Sequence, residues 1–531
     1  MGTASRTLLL STISISFLLC AGSNFSSAQD SDWQKKIDAG EAAYRQHKFQ
    51  DAEALFLEAL KDTELFDKDD TRRATTLNDL ALAYDSEGKS DEAEKLYKQA
   101  IEIRKAKAGP EDPSLIPVLN NLANLYRQQK KFDQAEPIYQ QVLAIQQKAN
   151  GADHPSVAVA ANNLAIIYRE QERFAQAEPL LKQVLAITEK TYGSDHPAVA
   201  TALDNLAVVA RALNNNAQAE SYYRRALEIR EKALGADSPE VAISLNNLSR
   251  MLREQQKFSD AETLLKQVLA IAEKQPGPDQ ASLLAALKNL AMVYSEEGDY
   301  ANAETLYKRV VQIREGSAEE HPKELATALN NLGIVYTSEG KVTDAEPAFT
   351  KALALLEKAV GPDDPAVADC LDNMVELSRQ EGNLSQAETL LKRALTIREK
   401  ALGPNDPSVA STETDLALIY KQQDRPADAE TSFRRAVDIQ QNNGDNPLAL
   451  ATSLNNLARN LRDQGKYADA EALYKQALEL REKSLGPNNP EVAAVLRNYA
   501  FLLRKMSRDA EADKLDSRAR TIEAKADSTG Q

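Results

Sequence analysis

When Leu122 is counted as the seventh residue of a 42-residue unit, one column of the sequence is almost pure amide. Asn121, Asn163, Asn205, Asn247, Asn289, Asn331, Asn373, Asn456 and Asn498 occupy the sixth position, and Asp79 and Asp415 fill the remaining two units. Asparagine is a poor residue for a helix interior because its side chain competes for backbone hydrogen bonds, so the column needs a reason. Each amide offers one acceptor and two donors. At about 1 kcal/mol net per bond, several must act together. Two uses fit: the amides hold the backbone of an extended peptide, or they bond across to neighbouring helices and set the spacing of the repeats. Position twelve is basic in most units, with Arg127, Arg169, Arg211, Arg253, Arg379, Lys421, Arg462 and Arg504. A basic row at a groove edge favours acidic or carboxylate-bearing ligands. The alternative is an ion pair with the Glu of a recurrent Ala-Glu pair, or a charge suited to the C-terminal end of its helix. Position nine mixes Asn124, Ile166, Val208, Arg250, Met292, Ile334, Leu418 and Phe501, and its apolar members would give a groove adhesive spots.

Other chemistry finds little support. His154, His196 and His321 each precede Pro. Metal ligands must converge on one ion, whereas the 42-residue step places His154 and His196 on different repeats, so these histidines read as turn caps. No phosphate-binding loop, dinucleotide fingerprint or nucleophile elbow occurs, and the acidic residues follow the repeat on solvated faces. No catalytic residue, no metal and no cofactor is expected. A concealed enzyme domain would need an insertion that breaks the step, and the largest irregularity is one residue.

The elements that position these columns come from the same periodicity. Asn78, Asn120, Asn162, Asp204, Asn246, Lys288, Asn330, Asp372, Thr414, Asn455 and Arg497 hold the fifth position, 42 residues apart except for a step of 41 from Thr414 to Asn455. A fixed period of this length means a solenoid. Leu119, Leu122, Ala123 and Tyr126 form the apolar stripe of one helix, and Ala135, Ile138, Tyr139, Val142, Leu143 and Ile145 form that of a second. Between them lies Gln129-Lys130-Lys131, where sister units place Gly88, Gly298, Gly340, Gly382 or Gly465. The second stripe ends at Gly151-Ala152-Asp153-His154-Pro155, a helix stop followed by a helix start. Each unit is therefore a helical hairpin, and about twelve hairpins, or 24 helices, should stack. At 100° per residue, positions four, seven, eight and eleven face the stack. Positions two, six, nine and thirteen fall roughly opposite, on the face that lines the concave surface of such a superhelix.

The spacing Leu122, Ala123, Tyr126, Ala135, Tyr139 matches the signature places of the tetratricopeptide repeat, lengthened by eight residues. Segments such as HPAVATALDNLAVV, LGPNDPSVASTETDLALIYKQQ and YADAEALYKQALELREKSLGPNNPEV resemble the 42-residue repeats of kinesin light chains, and still more the bacterial proteins built on that repeat. The resemblance covers residues 72 to 525. It implies an all-α, right-handed α-solenoid superhelix. It also implies a cargo-binding array that holds acidic peptides in its concave groove through asparagines corresponding to position six. No long heptad segment precedes the repeats, which argues against a motor-adaptor role.

The N-terminus is of another kind. Residues 1–28 carry one charge, Arg6, then an apolar stretch from Leu8 to Leu19, with Ser26 and Ala28 at the places of a cleavage site; this is the pattern of a secretory signal peptide. Its apolar core is shorter than the roughly 20 residues that span a bilayer. Membrane contact is expected only if the signal is uncleaved. Cleavage would remove Cys20 and leave Cys370 alone, buried and inert among Val367 and Leu371. The net charge of −16 opposes nucleic-acid binding. The expected organisation is a signal peptide over 1–28, an irregular first hairpin over 29–71, tandem repeats over 72–508, and a capping helix with a tail over 509–531. The expected function is non-enzymatic: an exported, periplasmic or secreted protein that binds an extended, acidic segment of a protein partner in its groove, with no small-molecule substrate. The alternative is a scaffold that assembles an envelope complex through its convex face or its ends.

Overall fold

The glycines and prolines that punctuate the sequence become helix ends. The computed structural model describes residues 28–67, 70–274, 280–444 and 446–529; the signal expected over 1–28 lies outside them apart from Ala28, as does Cys20. The fold is 85% helical and, among the described residues, has 24 helices and no strand. Hairpins 1 to 6 are Ala28–Arg45 with Phe49–Asp62, Thr71–Ser86 with Ser90–Ala108, Ile116–Gln128 with Phe132–Asn150, Pro155–Glu170 with Phe174–Tyr192, Pro197–Ala212 with Asn216–Leu234, and Pro239–Glu254 with Phe258–Lys274. Hairpins 7 to 12 are Ala281–Glu297 with Tyr300–Glu315, Pro322–Ser338 with Val342–Val360, Pro365–Gln380 with Leu384–Leu402, Pro407–Gln422 with Pro426–Asn443, Pro447–Asp463 with Tyr467–Leu485, and Pro490–Lys505 with Asp509–Thr529. The architecture is an all-α solenoid. The chain forms two compact bodies, divided between Met251 and Leu252.

Two turns recur, and they differ in what they tolerate. The turn inside each hairpin puts one residue in the left-handed region. It is Gly88, Gly298, Gly340, Gly382 or Gly465 in some hairpins, but Lys130, Glu172, Asn214, Gln256, Asp424 or Ser507 in others, all near φ +58°. The turn between hairpins instead holds Gly151 at φ 86°, ψ 157° and Gly193 at φ 87°, ψ 158°, a region open essentially to glycine alone. That steric difference explains why the second glycine is the more reliable marker. The 41-residue step falls after hairpin 10, whose second helix ends at Gly444 with φ 66°, ψ −7°, so the missing residue is absorbed in the loop and the helices keep their phase. His154 and His196 cap the next helix by accepting from the N–H of Ser156 and of Ala198. His321 makes no such bond.

Packing follows the alanine columns. Ala123 and Ala135 are fully buried, which lets two helices approach closely, and Tyr97, Tyr139, Tyr223, Tyr474, Phe56, Phe349 and Phe433 fill the space between neighbours. Cores pass without a break from hairpin to hairpin, through hairpins 2 to 5 in one body and 9 to 12 in the other. The last helix, Asp509–Thr529, closes its end with Ala519 and Ile522 against Val492 and Leu496. Cys370 lies buried, and that burial pushes its thiol up to about 11.

Gly333 stands where most repeats carry Ala. A Cβ there would come within 2.8 Å of the Phe349 ring. Ala is the better helix former by about 1 kcal/mol, but overpacking a fully buried ring costs about 1–3 kcal/mol. Gly333→Ala should therefore lower stability in denaturant unfolding. Adding Phe349→Leu, the residue type of Leu181 and Leu265 in sister repeats, should recover the loss.

Candidate protein-binding row on the first helices

The first helices of successive hairpins touch one another: hairpins 1 with 2 and 2 with 3 in one body, 8 with 9 and 11 with 12 in the other. This contact aligns their columns into rows, and it divides the amide column in two. Asn121 donates from Nδ2 to Oδ1 of Asn78 at 2.9 Å, Asn205 to Asn162 at 3.2 Å, Asn373 to Asn330 at 3.2 Å, and Asn498 to Asn455 at 3.1 Å. In each bond the sixth position of one hairpin meets the fifth of the hairpin before it. Asn205 is also the acceptor for Arg169 Nη1 at 3.2 Å, and Asn289 is partnered as well. By contrast, Asn163 and Asn247 in the first body and Asn331 and Asn456 in the second are half-buried at the same position of their hairpins, and no hydrogen bond of theirs is found among the described residues. The two expected uses of the column thus fall on different members of it.

Asp79, the acid of the column in hairpin 2, is fully buried, accepts from Asn78 Nδ2 at 3.0 Å, and leaves its other oxygen without a donor. Burial pushes its carboxyl up to about 7. The charge of Glu41 adds to the rise, while the Asn78 amide and Arg104 oppose it.

The basic row of position twelve is mostly occupied. Arg127 pairs with Glu170 at 2.8 Å, Arg253 with Glu296 at 3.5 Å and Lys421 with Asp463 at 3.1 Å, in each case the thirteenth residue of the next hairpin. Arg379 holds Glu376 at 3.0 Å on its own helix, Arg462 holds Asp463, Arg504 lies against Asp513, and Arg211 is also partnered. The Glu of Ala-Glu is not the partner of this row. It belongs to a clasp the sequence reading missed, in which it meets the position-eleven tyrosine and the position-sixteen base of the next hairpin. Glu136 accepts from Tyr168 at 3.2 Å and Arg173, Glu304 from Lys341 at 2.6 Å, and Glu388 from Arg425 at 2.8 Å. Ion pairing with Lys308 and Lys341 holds the Glu304 carboxyl down at about 2. The signal was present, since Lys131, Arg173, Lys341 and Arg425 recur with the same period.

Exposed apolar side chains gather on the same helices. Of the eleven large hydrophobic residues that are exposed among the described residues, Val159 and Ile243 stand at position two and Ile334, Leu418 and Phe501 at position nine. Among the described residues no three His, Cys, Asp or Glu side chains converge as metal ligands, and no described helix is long and apolar enough to cross a membrane.

The tetratricopeptide repeat family matches residues 36–106, 114–190, 168–232, 199–274, 240–316, 324–400, 371–442 and 449–522. The chain belongs to that family. Tetratricopeptide repeats are protein–protein interaction modules, and that is the class of this protein. Similar solved structures include a Podosopora anserina protein described as a kinesin light chain of nearly identical TPR-like repeats, with 30% identity, 39% of this chain and 98% of that one covered, and a TM-score of 0.36. Another is BtubC (BKLC) from P. vanneervenii, at 24% identity, 44% and 91% coverage and a TM-score of 0.37. The apo form of RapI is also similar, at 15% identity, 69% and 98% coverage and a TM-score of 0.49. No curated protein matches.

The raised carboxyl of Asp79 sets a pH dependence. Between about pH 4 and 7 the folded chain keeps a proton that the unfolded chain gives up, so stability falls as pH rises through that window. Asp79→Asn restores the amide of the sister repeats and removes the effect. The variant should unfold with a free energy on the order of 3 kcal/mol above that of the wild type at pH 8, and the two should coincide near pH 4.

Proposed function

We propose that the protein binds an extended segment of a protein partner along the first helices of one of its compact bodies, without catalysis. The observation that carries this reading is the set of half-buried, unpartnered amides, Asn163 and Asn247 in the first body beside the exposed Val159 and Ile243, and Asn331 and Asn456 in the second beside the exposed Ile334 and Leu418. A poorly hydrated amide left without a partner has donors and an acceptor to offer a peptide backbone, and exposed apolar neighbours supply contact area for its side chains. Asn121, Asn205 and Asn373 act in this reading as spacers that hold the row in register. Asn289 is partnered too, which leaves it less to offer a peptide.

An acidic segment suits the position-twelve row even though its bases are paired. Exposed ion pairs such as Arg127–Glu170 contribute about 1 kcal/mol or less, so a partner's carboxylate can compete for Arg127, Arg169, Arg211, Arg253 or Arg379. We further propose, from the character of residues 1–28, that the chain is exported and that the mature protein begins at Gln29. Mass spectrometry of its N-terminus tests this.

The two classes of amide separate experimentally. In denaturant unfolding, Asn205→Ala and Asn373→Ala should each lower stability by about 1 kcal/mol or more, because a bonded partner is left behind. Asn163→Ala and Asn331→Ala should cost nothing and gain a few tenths from helix propensity. Peptides selected from a random display library on the full chain should carry acidic residues and bind the Asn163→Ala, Asn331→Ala double variant several-fold more weakly. Selected peptides indifferent to both these changes and Val159→Arg would sink the reading.

A further inference from the structure

Position nine in hairpins 8 to 12 alternates in kind. It reads Ile334, Glu376, Leu418, Arg459, Phe501, one residue from each successive first helix of the second body, and all five are exposed. Phe501 is 47% exposed, with the Arg462 guanidinium 4.6 Å and the Lys505 ammonium 5.5 Å from its ring centre. Arg459 makes no ion pair or hydrogen bond among the described residues. Asn456 lies one turn before it on the same face and is equally unpartnered. Among the described residues Glu376 holds only Arg379, in an exposed pair of the weakest kind. Most cations of the position-twelve row have partners, with Arg127 on Glu170 and Arg169 on Asn205, whereas Arg459 and the amide beside it are free to meet a ligand. Arginine and aromatic side chains in such settings dominate binding energy at protein interfaces.

Resting on the groove reading above, we infer that this row is read by an extended partner segment carrying apolar, basic, apolar, acidic and apolar side chains in turn. Packed helices lie about 8–10 Å apart, and a chain in the extended polyproline II conformation rises about 3.1 Å per residue with three residues per turn, so one hairpin corresponds to about three residues of ligand and every third side chain faces the row. The carboxylate faces Arg459, whose fork and the Asn456 N–H groups both donate to it. The apolar residues on either side of it meet Leu418 and Phe501. The basic residue faces Glu376, and the opposite signs at the two charged places determine which end of the segment lies toward hairpin 12. Among the segments the groove accepts, the second body thus selects for one pattern of charge rather than for acidity alone.

The probes are two fluorescent peptides of 13 residues with Leu at places 1, 7 and 13, Lys at place 4, and either Glu or Lys at place 10, read by anisotropy against the full chain. The Glu peptide should bind about tenfold more tightly than the Lys peptide. Arg459→Glu, an exposed change whose fold is checked by circular dichroism, should reverse that preference. Phe501→Ser should weaken the Glu peptide severalfold and leave the unfolding midpoint in place. An unchanged preference in Arg459→Glu, or no binding of either peptide, overturns the assignment of this row. If the library selection still yields binders that need Asn163 and Asn331, the groove reading survives that loss; if it yields none, both fall together.

Discussion

Everything in this molecule depends on how closely two helices can approach across a column of alanines. A single hairpin has an apolar stripe on each helix and cannot cover both by itself, so it is stable only against a neighbour. Ala123 and Ala135 allow the approach, and rings such as Tyr139 and Phe349 take up the remaining volume. The phenol oxygens of Tyr97, Tyr223 and Tyr474 are buried without a partner, so these rings sit there for their bulk and not for their hydroxyls. Because the same contact recurs at a constant step, every other column falls into register, and rows of side chains arise that no single repeat could make.

The fold was legible because its determinants are steric and local. Glycine at φ near +86° to +93° after most second helices, such as Gly151, Gly193 and Gly403, and proline at the start of most first helices leave the backbone few choices. The candidate site was legible only as a column. Nothing in the residue type separates Asn205 from Asn163, since both are amides at the same place in the same motif. What separates them is whether the side chain reaches back to position five, and in the case of Asn205 a second bond from Arg169 helps to hold it there. The basic column hid its partners for a related reason. Arg127 and Glu170 are 43 residues apart, a distance that means contact only once the stacking is known.

The two helices of a hairpin divide the labour. The second helices carry Glu94 with Lys98, Glu178 with Lys182, Glu262 with Lys266 and Glu388 with Lys392, pairs four residues apart whose lysines remain largely exposed. Such pairs keep a helix soluble and contribute little else. The first helices show the opposite economy at positions six and nine, with amides such as Asn163 and Asn331 left unsatisfied and Ile334, Leu418 and Phe501 open to solvent. Unsatisfied groups in a row of rigid helices are an arrangement that a ligand can complete.

The loop after hairpin 10 is one residue short, yet the helices on both sides keep their phase. A joint that absorbs a deletion without disturbing its neighbours allows whole cassettes to be gained or lost by unequal recombination, since each newly joined pair would meet through faces of the same shape. Proteins built this way can lengthen or shorten over generations while remaining folded, and the charges along the row can drift independently to suit whichever partner the longer or shorter version meets.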